Sequence, residues 1–347
     1  MLRKHMRSLV SSTKQIVRTM TVNHAVDGAK VDYYTLNDGH KHPTRGYGTY
    51  KLGLIPASAS GSGGVACVVE EEDVAELVRY ACEVGYRCFD CAEFYEQEKK
   101  VGEAIKSCGI PREELYIISK VWTTAIYEGP EAVRKHALKS IKELGVGYLD
   151  LYLIHWPVPG KHVEAYRELE KLKDEGLLRS IGVSNYTVED AKELEENNVK
   201  YFPSVNQIEV NPFVFRGNTI KYFQTKGTLI QAYRSLCNGK AFDNPLLVSL
   251  SKKYDKKIGQ ILGRYLLQHG IVPLSKSGKK ERIKENFDVI DFDIEKDDIE
   301  ALDNLTTEDT LKKRAELYQQ CVVRDTPLAA RVANNDDVGV RQAFTID

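Results

Sequence analysis

Between about residues 70 and 288 the chain alternates short apolar runs with segments of helical periodicity, an order that few folds accept. Val74, Leu77, Val78 and Ala81 mark one face of a helix that stops at Gly85, and Tyr86–Phe89 follows as a strand. Next come a helix over 98–107, the run LYIIS, and a helix carrying Val133, Ala137, Ile141 and Leu144 up to Gly145. YLDLYLI, a helix near 164–175, LLRSIGVS, a helix over 188–197, PSVNQIEV, a helix over 218–226 and TLIQAY extend the series. Ile258, Ile261, Leu262, Tyr265 and Leu266 form an amphipathic helix ending at Gly270, before IVPLS and a helix over 279–288.

Strict β-then-α alternation calls for parallel strands joined by helical crossovers. Near-continuous apolar runs are what strands buried on both faces require. An eighth strand is expected near Tyr47–Lys51, ahead of the first helix. Eight units over roughly 250 residues predict a single parallel (β/α)8 barrel. The rival, an open doubly wound sheet, would carry a Gly-rich turn after its first strand. GYGTYKLG and GSGGVA lack the G-x-G-x-x-G spacing, and no G-x-x-x-x-G-K-[ST] occurs. The barrel domain is expected over 33–307, with the polar stretch 308–347 as an extension draped over one barrel face. Pro56–Gly64 reads as a loop of small residues between the first strand and first helix.

No apolar run reaches the roughly 18 residues of a membrane-spanning helix, and a net charge of -1 gives no global bias toward nucleic acid. A small-molecule partner and a monomeric state are the expectation. Seven scattered cysteines argue against a disulfide framework and for a reducing compartment. Cys88 and Cys91 read C-x-x-C, but within a strand-like run, whereas a redox pair of that kind wants a helix N-terminus; they are read as ordinary thiols. Residues 1–21 include Arg3, Lys4, Arg7, Lys14 and Arg18, no acidic residue, and one apolar helical face. That is the composition of a mitochondrial targeting peptide; a basic tail on a cytosolic protein is the other reading. Cytoplasm and mitochondrial matrix both stay open.

Active sites of such barrels lie at the C-terminal ends of the strands. Reading only those positions gives Asp90, Lys120, His155, Ser184, Asn185, Gln207, Glu209, Tyr233 and Lys276. Singly, each is bland: an acid after a strand is commonly a helix cap, and a lone His a structural group. In succession they converge on one mouth. Tyr95 lies five residues beyond Asp90, near enough to return its hydroxyl over that mouth. Beside Lys120 its phenolate is expected to be favoured, lowering a pKa that starts near ~10. Asp90 can anchor Lys120, and His155 can orient a carbonyl oxygen. This is a general-acid arrangement. No metal cluster is read: the H-x-H at His40 and His42 is isolated. Nor is there a G-x-S-x-G nucleophile turn. A hydride from a bound nicotinamide meets the remaining requirement.

GYRCFDCAEFYEQEKKVGEAI, LDLYLIHWP, SIGVSNY, VNQIEVNPF and LSKSGKKERIKEN resemble, in order and spacing, the signatures of the aldo-keto reductase family. LNDGHKHPTRGYGTY is similar to its N-terminal β-hairpin and first strand, so the likeness covers about residues 33–300. It looks closest to the aldehyde, aldose and diketogluconate reductases and the prostaglandin F synthase-like members. The resemblance implies an NADPH-dependent reductase of aldehydes and ketones with Asp90, Tyr95, Lys120 and His155 as its catalytic tetrad. Ser184, Asn185 and Gln207 would hold the nicotinamide amide, Tyr233 would stack on its ring, and Thr49 and Tyr50 would lie beside it. Lys276, Ser277 and Arg282 would hold the adenosine 2′-phosphate, with Glu285 and Asn286 near the adenine. Trp122 and Trp156 would line the substrate pocket with His155; plain packing at the barrel rim is the other reading of the two tryptophans. The chain departs from the family pattern at Cys91 (Thr is usual), Gln97 (Asn) and Ser275 (Pro). Arg234-Ser235-Leu236 stands where Ser-Pro-Leu is commoner, so the loop that clamps the pyrophosphate is altered. A non-catalytic barrel, which this family also contains, is the alternative function.

Overall fold

The computed structural model describes residues 24–26, 29–50, 52 and 73–315; the basic N-terminus, the 56–64 loop and the chain beyond 315 lie outside them. Two antiparallel ribbons come first, β1 (His24–Val26) with β2 (Ala29–Val31), and β3 (Tyr33–Thr35) with β4 (Lys41–Pro43). Eight strands then form one closed, wholly parallel barrel: β5 (Gly46–Gly48), β6 (Cys88–Asp90), β7 (Tyr116–Val121), β8 (Leu149–Ile154), β9 (Leu178–Ser184), β10 (Val205–Glu209), β11 (Leu229–Tyr233) and β12 (Ile271–Ser275). The predicted (β/α)8 barrel is the observed fold. Its first strand is shorter and earlier than expected: the chain leaves the sheet after Gly48, and Thr49 turns its backbone N–H and its hydroxyl onto the Asp90 carbonyl (3.1 and 2.9 Å).

The crossover helices are α1 (Val74–Val84), α2 (Glu98–Ser107), α3 (Thr123–Glu128), α4 (Pro130–Leu144), α5 (His162–Asp174), α6 (Val188–Glu196), α7 (Gly217–Thr225), α8 (Pro245–Tyr254), α9 (Ile258–Gln268), α10 (Lys280–Phe287) and α11 (Lys296–Asp303). Their ends follow local chemistry. Asp73 accepts the Ala75 and Glu76 N–H groups at the start of α1, and Thr187 with Asp190 forms a capping box on α6. Helix α8 has no counterpart in the sequence reading. Its signal was there: Asn244 caps it and Pro245 occupies its first position.

Two apolar layers hold the barrel. Outside, alternate strand residues such as Ile117 and Tyr152 pack against buried helix faces such as Val133, Ala137 and Leu144 of α4. Inside, Cys88, Ile118, Leu151, Leu153 and Val205 pack with Leu36, which the β3–β4 hairpin inserts from below. His42 of that hairpin is fully buried too, its ring centroid 4.4 Å from that of Tyr116. Burial holds it neutral, its pKa pushed down to about 4. The H-x-H pair is thus split: His42 faces the barrel interior, while His40 is exposed beside Asp38 at 3.3 Å.

Glu98, in the first turn of α2, is a buried carboxyl between two hydroxyls: Ser119 donates to it at 2.6 Å and Ser140 at 3.0 Å. Burial outweighs these bonds and raises its pKa to about 7. The folded protein therefore binds this proton more tightly than the unfolded chain, and loses stability as pH rises from about 4.5 to about 7. Glu98→Gln is expected to remove that slope, gaining at most about 3 kcal/mol at pH 8 and little at pH 4. Urea midpoints of both proteins at the two pH values check it; an unchanged difference between them would count against the assignment.

Candidate active site

Parallel register brings the strand ends to one rim. Gly48 is paired with Asp90, Gln207 with both Ser184 and Gln231, and Ser275 with Tyr47. A cleft of about 890 Å³ opens over that rim. It is lined by Tyr50, Asp90, Tyr95, Trp122, His155, Trp156, Ser184, Asn185, Gln207, Tyr233, Lys276, Ser277, Arg282, Glu285 and Asn286. Two of the expected residues stand behind its wall: Thr49, which holds the Asp90 carbonyl, and Lys120, which has no exposed surface.

Lys120 is the hub of the inner end. Its ammonium donates to Asp90 Oδ1 at 2.7 Å, to the Cys91 carbonyl at 2.9 Å and to the Tyr95 hydroxyl oxygen at 3.1 Å. Three donors meet three acceptors, so the buried charge is paired and fully hydrogen-bonded. Tyr95 reaches this point because a short 3₁₀ turn, Glu93–Tyr95, follows the strand after only Cys91 and Ala92. The expectation that Lys120 lowers the Tyr95 pKa is not borne out. Burial first, and the Asp90 charge next, raise it well above its ordinary value. The physical reason is that Asp90 sits 2.7 Å from the ammonium and offsets its field, leaving desolvation to decide. The phenol is held protonated. His155 is likewise held neutral, its pKa well below the usual histidine range through burial and the nearby Lys120 charge. Its Nδ1 is buried with no hydrogen-bond partner among the described residues.

A second set of bonds orders the middle of the cleft. Asn185, in the left-handed conformation (φ 64), donates to the His155 carbonyl at 3.0 Å and to Ser184 Oγ at 3.1 Å. It accepts from the Tyr233 hydroxyl at 2.6 Å. Gln207 spends both amide protons, on Asp90 Oδ1 (2.9 Å) and Gln231 Oε1 (2.8 Å). The carboxylate fixes that orientation, since a flipped amide would set oxygen against oxygen. What Gln207 has left to offer a ligand is its carbonyl oxygen.

One wall of the inner end is aromatic. Phe94 stacks on Trp122 (centroids 4.0 Å, 18°), Trp122 meets the His155 ring edge-on at 4.8 Å, and Tyr50 lies 4.9 Å from Tyr95. Glu93 braces this wall, accepting the Trp122 backbone N–H at 2.5 Å and contacting His136 Nδ1 at 2.6 Å. Phe94 was not singled out in the sequence; its adjacency to Tyr95 was the only signal. The sequence marks Arg234-Ser235-Leu236 as a departure from the family pattern, and the structure shows how far the altered loop extends along the cleft. Arg234, Ser235, Leu236, Asn238, Gly239, Lys240 and Phe242 all border the cleft, as do Lys257 and Gly259. Arg234 (φ 51) pairs with the fully buried Glu209 at 3.1 Å, and Arg314, in the helical stretch 308–315, lies 3.7 Å from the same carboxylate. A Cβ at residue 259 would meet Asn286 Oδ1 at 2.9 Å, so glycine there lets α9 and α10 close the outer wall.

The outer end is cationic. Lys240, Lys257, Lys276 and Arg282 line it and form no ion pair among the described residues. A cleft that combines neutral amides, hydroxyls and rings with cations that form no ion pair among the described residues fits an elongated ligand with a neutral ring and anionic groups. Among the described residues no cluster of His, Cys, Asp or Glu has metal-binding form, and no helix is long and apolar enough to cross a membrane.

Fold and cleft together put the chain among the (β/α)8 barrels that keep a ligand site at the C-terminal mouth. Within that class it belongs to the aldo/keto reductase family, whose model matches residues 57–307. It is 38% identical over 246 residues to a glyoxal reductase of Bacillus subtilis, covering 71% of this chain and 88% of that one. A 9,11-endoperoxide prostaglandin H2 reductase of Trypanosoma cruzi is also 38% identical, over 70% of this chain and 86% of its own. The crystal structure of a Bombyx mori aldo-keto reductase in complex with NADP superposes with a TM-score of 0.70 at 31% identity, over 81% of this chain and 94% of that one.

Proposed function

We propose that this protein reduces aldehydes and ketones to alcohols with NADPH, Tyr95 giving the proton. The observation that carries the reading is the Asp90–Lys120–Tyr95 relay, which ends in a protonated phenol at the floor of a cleft suited to a dinucleotide. When bound, NADPH would supply the hydride to the carbonyl carbon. The chain's own residues do the rest. The neutral His155 imidazole and the Tyr95 hydroxyl face one small volume under the aromatic wall, where both can donate to a carbonyl oxygen. As that oxygen gains charge, Tyr95 releases its proton, and the Lys120 ammonium, 3.1 Å away, stabilises the phenolate left behind. Asp90 keeps Lys120 charged and in place. Ser184, Asn185 and the Gln207 carbonyl would hold the nicotinamide amide, Tyr233 its ring, and Lys276, Ser277 and Arg282 the 2′-phosphate. Trp122, Trp156 and Phe94 would bound the substrate.

The relatives named a glyoxal reductase and an endoperoxide reductase support a reductive reaction on a small oxygenated substrate. Loss of NADPH absorbance is expected when the purified chain meets 4-nitrobenzaldehyde or glyoxal. Tight NADPH binding with no turnover across an aldehyde and ketone panel would instead mark a non-catalytic member.

A further inference from the structure

Three consecutive residues of one 3₁₀ turn serve the inner cleft: Tyr95 meets Lys120, Phe94 stacks on Trp122, and Glu93 holds the Trp122 backbone. A turn of this length, closed by i-to-i+3 bonds, fixes its own position poorly; here those bonds run from Tyr95 to Ala92 at 2.9 Å and from Glu96 to Glu93 at 3.1 Å. Trp122 is in a similar state. It stands between β7 and α3, past the last paired strand residue Val121, and its side chain makes no capping bond to α3. Glu93 joins the two segments. Its Oε1 accepts the Trp122 backbone N–H at 2.5 Å, and its Oε2 lies 2.6 Å from His136 Nδ1 of α4. A carboxylate only accepts, so the imidazole donates. Neither Glu93 nor His136 borders the cleft itself.

We propose that Glu93, steadied by His136, is a positioning residue that locks the Phe94–Trp122 stack into a rigid wall selecting flat aromatic carbonyl substrates over small aliphatic ones. The wall has one direction. The Phe94 and Trp122 rings are 18° from parallel, and both stand nearly at right angles to the His155 ring (88° and 86°). Both border the cleft and are half-buried, so part of the slab is open to a ligand. In an aromatic aldehyde, conjugation keeps the carbonyl coplanar with the ring. A ring stacked on this slab therefore sets the plane of the carbonyl before His155 and Tyr95, whereas a small aliphatic aldehyde offers no flat handle. The slab can do this only while its two rings keep their spacing. They come from different segments, the turn after β6 and the residue after β7, and the carboxylate ties one to the other. Without it the Trp122 N–H and the His136 Nδ1 would both lose their partner, and the Trp122 backbone would shift to find another. The choice of substrate rests on the reductase reading; the lock does not.

The test pairs kinetics with the optical signal of Trp122 in the full-length chain. An aromatic stack is worth about two- to tenfold in affinity. Glu93→Ala is therefore expected to lower the ratio of kcat/KM for 4-nitrobenzaldehyde to that for propanal by about that factor, mostly through KM. Glu93→Gln keeps an oxygen for the Trp122 N–H and should restore most of the ratio. His136→Ala should shift it the same way by less, and should add nothing in the Glu93→Ala background. The chain has two tryptophans, so Trp156→Phe leaves Trp122 as the sole reporter. In that background Glu93→Ala should weaken the near-ultraviolet dichroism of Trp122 and open its emission to acrylamide quenching. Far-ultraviolet melts establish that each variant is folded. A folded Glu93→Ala protein with an unaltered ratio or an unaltered Trp122 signal would overturn the proposal, as would a Glu93→Gln protein as impaired as Glu93→Ala. The optical arm needs no turnover, so a chain that reduced neither aldehyde would sink the reductase reading while Trp122 still decided the lock.

Discussion

Tyr95→Phe is expected to lose most of the carbonyl-reducing turnover while keeping the fold and NADPH binding. General acid catalysis contributes typically 10²–10⁴-fold, and the phenol is the protonated group that the relay presents to the cleft. The fold should survive because the lost hydroxyl is one of three partners of Lys120. The ammonium keeps Asp90 Oδ1 at 2.7 Å and the Cys91 carbonyl at 2.9 Å, so no buried charge is left unpaired. The ring itself still packs against Tyr50 and His155. Steady-state rates with an aldehyde, set beside NADPH affinity by fluorescence quenching, separate the two quantities. Near wild-type turnover in the Phe variant would remove Tyr95 from the chemistry.

Arg282→Ala is expected to weaken NADPH binding and leave NADH binding nearly unchanged. The two cofactors differ only in a phosphate on the adenosine ribose, so any preference must come from groups that meet that charge. Arg282 sits in the first turn of α10, borders the cleft, and has no ion-pair partner among the described residues. A cation at a helix N-terminus opposes the helix dipole, a penalty that an anionic ligand offsets. Its neighbour Lys280 is answered by Glu76 at 2.6 Å; Arg282 is not answered in that way. A hydrogen bond to a charged group is worth roughly 1.5–3 kcal/mol, which is about ten- to over a hundredfold in affinity. Titration of both cofactors decides it: equal losses for the two would show that Arg282 does not read the 2′-phosphate.

The residues at strand ends were legible because the alternation fixes where each strand stops, and a closed parallel barrel turns those stops into neighbours. Asp90, Lys120 and His155 needed nothing more. What lay beyond the sequence was environment. That Tyr95 would be near Lys120 could be read; that both would be buried, with Asp90 offsetting the ammonium, could not, and so the direction of the phenol's pKa was misjudged. The extent of the 234–242 loop, beyond the Arg234-Ser235-Leu236 departure, was not legible for another reason. The loop has no periodicity, and its course depends on Arg234 finding a carboxylate 25 positions earlier in the chain.

The buried His42 of the β3–β4 hairpin gives the barrel interior a property that packing alone would not. Its Nδ1 donates to the Pro43 carbonyl at 2.6 Å and its Nε2 accepts from Gln231 at 2.7 Å. Gln231 in turn accepts from Gln207, and Gln207 donates to Asp90. The hairpin below and the carboxylate above are therefore the two ends of one polar wire threaded down an otherwise greasy shaft. Because Gln207 donates in both directions, its amide cannot turn over without stranding an acceptor on each side. The protein has in effect soldered its floor to its ceiling: a disturbance at the hairpin would reach the cleft as a misaligned carboxylate rather than as a void.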